Sequence, residues 1–426
     1  MAADTGHSDS GSPTEHPPTE RPATYGEVLA VTEFRALFGA FLLSMIGDML
    51  AKVAVAWLVF DETHNPLLSA AAFAIGYLPW IVGGPILATI ADRMPWRRTM
   101  VLCDVGRMAL VALIAVPGVP LPVLLILLFA AALLSPPFEA ARSAMLPDIL
   151  EGDRYVLGIA INNMAGQISQ VVGFVFGGAI VALVTARGAL LIDALTFLAS
   201  AALIRIWIKS RPAPIAPEKR RSLSKETAAG LRLVFGNRTL RVYTMMVWAS
   251  AAFAFAPEGL AAPFAKELGG GPATVGVLLA ANPVGSIVGG VVVGRLLPPN
   301  ARIRWLRPLA VLSAAALVPL AIALPLWAVL LLYAVSGFGM SFLLPLNAIF
   351  VRALPHDFRA RAYGVVQSGL QVSQGLAVVL AGWAATKLEI RLVIGVSGMV
   401  GVVVVCLLAL LWPSRSKTSG VVPRPA

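Results

Sequence analysis

The chain has 426 residues, 58% of them hydrophobic and only 13% charged, with 33 Lys and Arg against 22 Asp and Glu for a formal charge of +11. A soluble domain carries about a quarter of its residues charged, so this composition excludes a protein that covers itself in water and makes lipid the fitting solvent. The basic excess lies in short loops between apolar runs, which is a topology signal and not a nucleic-acid footprint.

Residues 1–35 begin with a stretch rich in Pro, Ser, Thr and Glu that lacks the basic-then-apolar order of a signal peptide. It reads as a disordered cytoplasmic tail. Roughly twelve apolar runs follow, near 36–60, 67–91, 99–117, 121–143, 160–184, 188–208, 242–265, 273–296, 307–324, 326–350, 362–385 and 392–412. They are long enough for helices that span a bilayer and lack the period-2 alternation of barrel strands. The basic stretch 209–241, with an amphipathic helix expected from Lys225 to Arg238, divides a six-helix half at 36–208 from a second at 242–412. A short cytoplasmic tail, 413–426, ends the chain. The expected fold is an all-α membrane protein of two pseudo-symmetric six-helix bundles.

Lys and Arg counting sets the expected orientation. With the N-terminus inside, the inner loops hold Arg93, Arg97, Arg98, Arg142, Arg154, Arg205, Lys209, Arg295, Arg302, Arg352, Arg359 and Arg361 among others. The outer loops hold only Arg187, Lys266, Lys387 and Arg391. Both termini are therefore expected in the cytoplasm. The halves also echo each other: Pro137-Phe138-Glu139-Ala140 aligns with Pro345-Leu346-Asn347-Ala348, and Ser169-Gln170 with Ser373-Gln374. Internal repeats of this kind mark transporter folds.

Several polar residues fall inside the apolar runs. Asp48 sits roughly 18 Å into the first span, near the bilayer midplane. A charge there is costly and marks a functional site by default. Lys52, four residues on, shares its helix face, so the two are expected to pair and to exchange a proton or contact cargo, or else to form a permanent ion pair that fixes packing. Glu258 follows Pro257, whose kink would turn it toward a cavity or an outer vestibule. Asp104 and Arg107, one turn apart, read as an intramembrane pair. Asp193, near an outer helix end, reads as capping or interfacial. Gln167, Gln170, Asn282, Gln367, Gln371 and Gln374 are neutral groups that hydrogen-bond either cargo or one another.

Gly84 to Arg98, read as GPILATIADRMPWRR, resembles the signature loop of the major facilitator superfamily in its Asp92-Arg93 pair and following Arg97-Arg98. Ala88 and Pro95 stand where that family usually has glycine. The resemblance implies that Asp92, with Arg93, Arg97 and Arg98, locks an inner gate against Arg142 or Arg361. Ser169 to Gly178 is similar to the glycine motif of drug–proton antiporters at Gly173, Gly177 and Gly178, with Phe174 in place of its proline. Those glycines imply close helix packing that holds the outer side shut. Ile46-Gly47-Asp48, Asp104 to Arg107 and Pro355 to Arg361 resemble the macrolide-efflux and enterobactin-exporter branch.

The resemblance implies proton-coupled efflux of hydrophobic or amphipathic small molecules, with protons, cargo and lipid as partners and a monomer as the working form. A dedicated exporter of a siderophore or self-made metabolite is the alternative, and a membrane receptor or scaffold a third. The sequence has no Gly-x-x-x-x-Gly-Lys-Ser/Thr phosphate loop and no zinc spacing among its four histidines, so neither an enzyme nor a cofactor is expected.

Overall fold

The computed structural model describes residues 23–79, 94–211, 231–354 and 359–411, with the side chains of 351–353 and 359–361 left aside. Residues 1–22, the C-terminal tail, most of the basic connector and the Asp92-Arg93 pair lie outside the described residues, while 23–35, expected as part of a disordered tail, hold a short helix at Tyr25–Ala30 and the start of the first long one. Twelve helical spans run in order: α1 Thr32–Thr63, α2 Pro66–Tyr77, α3 Trp96–Ile114, α4 Leu121–Ile149, α5 153–184, α6 186–207, α7 Arg238–Glu267, α8 Pro272–Leu296, α9 Pro299–Ala321, α10 Leu326–Phe350, α11 Arg359–Ala384 and α12 Ile390–Leu411. Among the described residues nine helices are long and apolar enough to cross a membrane, and one of them, Asp153–Trp207, is α5 and α6 joined. The junction is Thr185, which has left-handed φ of 77° inside an otherwise continuous helix. Charged residues keep α3 below that apolar threshold, and α2 is described only over a shorter length. The chain is an integral membrane protein of two six-helix bundles.

Local sequence explains the edges. Asn65 caps α2, its side chain accepting the backbone N–H of Leu67 at 2.9 Å ahead of Pro66. Asn237 does the same for α7 through Thr239 N–H at 2.9 Å. Pro120, Pro298 and Pro325 stand at the starts of α4, α9 and α10, where the missing N–H costs nothing. Of the expected amphipathic helix, 231–236 is described: it is helical, with Val234 fully buried and the Phe235 ring 5.9 Å from that of Trp248 on α7.

The repeat is legible in matched ion pairs. Arg187, at the start of α6, meets Glu62 near the end of α1 at 2.7 Å. Arg391, at the start of α12, meets Glu267 at the end of α7 at 2.6 Å. Each half therefore ties its first helix to its sixth at one end of the bundle, called here the distal end; the opposite end, where α1 begins and α12 finishes, is called the terminal end.

The halves join at the distal end. Gly178 on α5 lies against α8 so closely that a Cβ would stand 2.7 Å from Pro272 O and 2.9 Å from Gly276 Cα. Gly382 on α11 abuts Pro66, Leu67 and Ala70 of α2. Lys266 lies over the Trp57 ring at 5.8 Å. Toward the terminal end, the α5 line that leads away from Gly178 and Phe174 carries Gln170, Gln167 and Asn163, the last two exposed. The matching α11 line carries Gln374, Gln371 and Gln367, passing from buried to exposed. Among the described residues the halves meet at the distal end, and the amide lines of α5 and α11 become exposed toward the terminal end.

Candidate functional site

Two acids of the first half, Asp48 and Asp104, converge on Arg107. This α3 side chain is 4% exposed. Its Nη1 donates to Ser44 Oγ of α1 at 3.1 Å and its Nη2 donates to Ser135 Oγ of α4. Asp48 Oδ2 lies 3.8 Å from Nη2, and Asp104 Oδ1 lies 3.9 Å from Nη1. The guanidinium also lies 4.9 Å from the Phe197 ring centre and 5.7 Å from that of Phe138, a cation–π sandwich from α6 and α4. Asp104 is fully buried and accepts the Ser200 hydroxyl at 2.6 Å. One forked cation thus organises four helices, which a point-charge lysine could not do.

This arrangement corrects the expected Asp48–Lys52 pair. Both residues are on the same face of α1, yet Asp48 turns to Arg107 and Lys52 turns the other way. The Lys52 ammonium sits 5.8 Å from the Phe73 ring centre and 5.9 Å from that of Tyr77, both on α2. Helical spacing brings two side chains near each other; it does not say which has the better partner across the bundle. Asp104 and Arg107 do pair as expected. Asp48 retains 37% of its side-chain exposure, so one edge of the network stays open.

Asp193 is a second correction. It is fully buried on α6, neither capping nor interfacial. Its Oδ1 accepts the Thr196 hydroxyl at 3.3 Å and its Oδ2 has no hydrogen-bond partner. Gly47, next to Asp48, makes the approach possible, since a Cβ there would overlap Asp193 Oδ1 and Thr196 Oγ1. Gly47→Ala is expected to cost about 1–3 kcal/mol through this overpacking, read as a lower melting temperature in detergent; an unchanged melt would show that α6 shifts freely. The signal available in the sequence was the Gly47-Asp48 dipeptide, which cannot reveal the helix opposite.

Glu258 bridges the halves. Proline at 257 converts α7 to 3-10 geometry over Ala256–Leu260, as its missing N–H dictates. Glu258 is 8% exposed, and its Oε2 accepts the Tyr77 hydroxyl of α2 at 3.4 Å. Lys52 therefore shares Tyr77 with Glu258, linking α1, α2 and α7 by a cation–π contact and a hydrogen bond.

The other expected residues separate. Arg142 is held at 2.7 Å by Glu139 on its own helix, with Asn162 at 3.3 Å and the Phe41 ring centre at 4.2 Å. Its expected partner Asp92 lies outside the described residues, with Arg93. The side chain of Arg361 is likewise outside them. Arg97 donates to the Arg205 carbonyl and Arg98 is exposed. Gly173 and Gly177 pack on α1 at Met49 and Leu50, so of the three motif glycines only Gly178 meets the second half. Asn282 and Gln374 are buried, at 9% and 6% exposure.

The comparisons with known proteins agree with this architecture. The Major Facilitator Superfamily profile matches residues 37–346 and, in a second overlapping match, 259–426. The chain is 30% identical over 154 residues to an uncharacterized MFS-type transporter of Mycobacterium bovis, a stretch covering 34% of each. It is 26% identical over 175 residues to an uncharacterized MFS-type transporter of Bacillus subtilis, covering 40% of this chain and 41% of the relative. The aligned stretches thus span between a third and a half of these relatives. Among solved structures, a bacterial homolog of the human lysosomal transporter Spinster, in inward-facing and unoccupied conformation, aligns with TM-score 0.72 at 13% identity over 92% of this chain and 97% of that one. A POT family transporter in complex with a thioalcohol-conjugated peptide aligns with TM-score 0.68 at 14% identity over 88% and 95%. At such identities the structural likeness speaks for the fold alone. The profile, by contrast, runs from the first long helix to the end of the chain, over two halves that repeat one plan, and the chain belongs to the Major Facilitator Superfamily.

Proposed function

We propose that the chain is a proton-coupled secondary transporter that exports hydrophobic or amphipathic small molecules across the cell membrane by alternating access. Its termini face the cytoplasm, so the terminal end opens inward. The observation that carries the reading is the placement of acids at mid-depth, where burial of charge is costly and kept for function. Asp48 stands at the open edge of the Arg107 network. Glu258 stands at the joint between halves, bonded to Tyr77.

Proton movement through these acids biases the two states. A charged Glu258 attracts Lys52 and accepts from Tyr77, holding the distal end closed. Protonation weakens both interactions and favours distal opening. Asp48 competes with Asp104 for one guanidinium, so a proton on Asp48 releases Arg107 to Asp104. A pH gradient supplies about 1.4 kcal/mol per unit, and membrane potential about 2.3 kcal/mol per 100 mV. Apolar walls with amides at Asn163, Gln167, Gln170, Gln367 and Gln371 suit an amphipathic cargo.

Proteoliposomes loaded with a fluorescent cationic dye test this. Wild type is expected to move dye against its gradient when a pH jump is imposed. Asp48→Asn and Glu258→Gln are each expected to abolish pH-driven accumulation while leaving downhill dye exchange. Accumulation that persists after collapse of the proton gradient, or in both variants, would sink the coupling.

A further inference from the structure

Two prolines lie on neighbouring helices beside Glu258. Pro257 turns α7 to 3-10 geometry, and Pro283 stands within α8, which stays helical through it. Proline at 283 has no N–H to offer the carbonyl four residues earlier, that of Leu279. Between these segments and α10 lies a cavity of about 10 Å³, lined among others by Pro257, Glu258, Leu279, Asn282 and Tyr333. That is room for one water-sized particle.

The polar groups lining the cavity are almost wholly buried. Glu258, Asn282 and Tyr333 are 8%, 9% and 6% exposed. Glu258 Oε1 and the Tyr333 hydroxyl have no hydrogen-bond partner. A buried polar atom left unpaired costs about 1–3 kcal/mol, so each such atom calls for an occupant. Glu258 Oε2 is already engaged by Tyr77, which leaves Oε1 as the free oxygen.

We propose that this cavity is a single-ion site for Na⁺. The donors are a carboxylate, a phenolic hydroxyl and a carboxamide, which offer hard oxygens and suit an alkali cation and not a thiophilic metal. Among the described residues no group of three His, Cys, Asp or Glu offers a polyvalent metal site. Lys52 and Tyr77 face the same carboxylate from α1 and α2, and Tyr333 faces it from α10. The Lys52 ammonium is held over two aromatic rings and forms no described ion pair with Glu258.

The proposal rests on reading Glu258 as the coupling carboxylate and adds a second occupant: Na⁺ and a proton compete for it. Binding of ²²Na⁺ to the purified full chain in detergent tests the site directly. Wild type is expected to bind one Na⁺ per chain, more weakly as pH falls, and to melt at a higher temperature in NaCl than in choline chloride. Tyr333→Phe, which keeps the ring, is expected to weaken binding about tenfold or more, and Glu258→Gln to abolish it. A Tyr333→Phe variant with the wild-type melt in choline but no Na⁺ shift shows the loss is at the site and not in folding. No saturable Na⁺ binding by wild type, or binding indifferent to both substitutions, overturns the proposal, a trapped water being the occupant then. Dye accumulation driven by pH without Na⁺ binding removes the Na⁺ site and leaves proton coupling standing. Na⁺ binding without pH-driven accumulation does the reverse.

Discussion

Replacing Arg107 by leucine is expected to remove most of the folded protein. The guanidinium faces Asp48 and Asp104 and donates to Ser44 and Ser135, so one substitution strips a buried carboxylate of its cation and two hydroxyls of their donor. Breaking a buried pair by removing one partner costs about 3–5 kcal/mol, a large part of the roughly 5–15 kcal/mol that a protein has in hand. Leucine fills the space, so the loss is electrostatic and not a cavity. The expected readout is a collapsed monodisperse peak in detergent and a lower melting temperature. Arg107→Lys keeps the charge and loses the fork, so it should fall between. Arg107→Leu combined with Asp104→Asn should recover part of the loss, because the carboxylate that needs compensation is gone. A leucine variant as stable as wild type would mean that the acids of the first half do without the cation.

Gly178→Val is expected to leave the protein folded and drive it out of the distally closed state. Only hydrogen occupies the space between Gly178 and α8, with Pro272 O and Gly276 Cα 2.7 and 2.9 Å from where a Cβ would sit. Both neighbours are backbone, so neither can rotate away. Overpacking of about 1–3 kcal/mol falls on one state only, and that biases the equilibrium roughly 5- to 150-fold. Spin labels at His64 and Lys387, both exposed at the distal end on opposite halves, would report the shift. The expected distance distribution moves to longer values in Gly178→Val. Gly177→Val, which packs on α1 of the same half, should instead lower stability without moving the labels. Identical distributions for Gly178→Val and wild type would show that the α5–α8 contact does not hold the closure.

The proposed cycle draws these contacts together. In the observed state the distal joint is held by backbone packing at Gly178 and Gly276, by Gly382 against α2, and by the Tyr77–Glu258 hydrogen bond. The last is the one that a proton or an ion can alter. The glycine contacts supply closure, and the carboxylate makes it conditional.

Much of this was legible in the sequence. Apolar runs of bilayer length, separated by basic loops, specified twelve spans because lipid leaves the backbone no other solution than helices. The repeat was legible as collinear strings, and the structure adds Arg187–Glu62 and Arg391–Glu267 as its physical counterpart. The prominence of Asp48, Asp104, Arg107 and Glu258 also followed from sequence alone, since charge in an apolar run is conspicuous whatever surrounds it. The kink at Pro257 followed from proline chemistry.

Pairing was decided only by tertiary structure. Lys52 stands one turn from Asp48, yet Arg107 on α3 takes the carboxylate and the rings of Phe73 and Tyr77 take the ammonium. Asp193 looked peripheral along the chain and is buried against α1, because Gly47 admits it. The physical reason is common to both. Hydropathy and spacing determine which residues enter the membrane and on which face of their own helix they stand. Partners come from other helices, whose rotation and depth depend on where glycines let backbones touch.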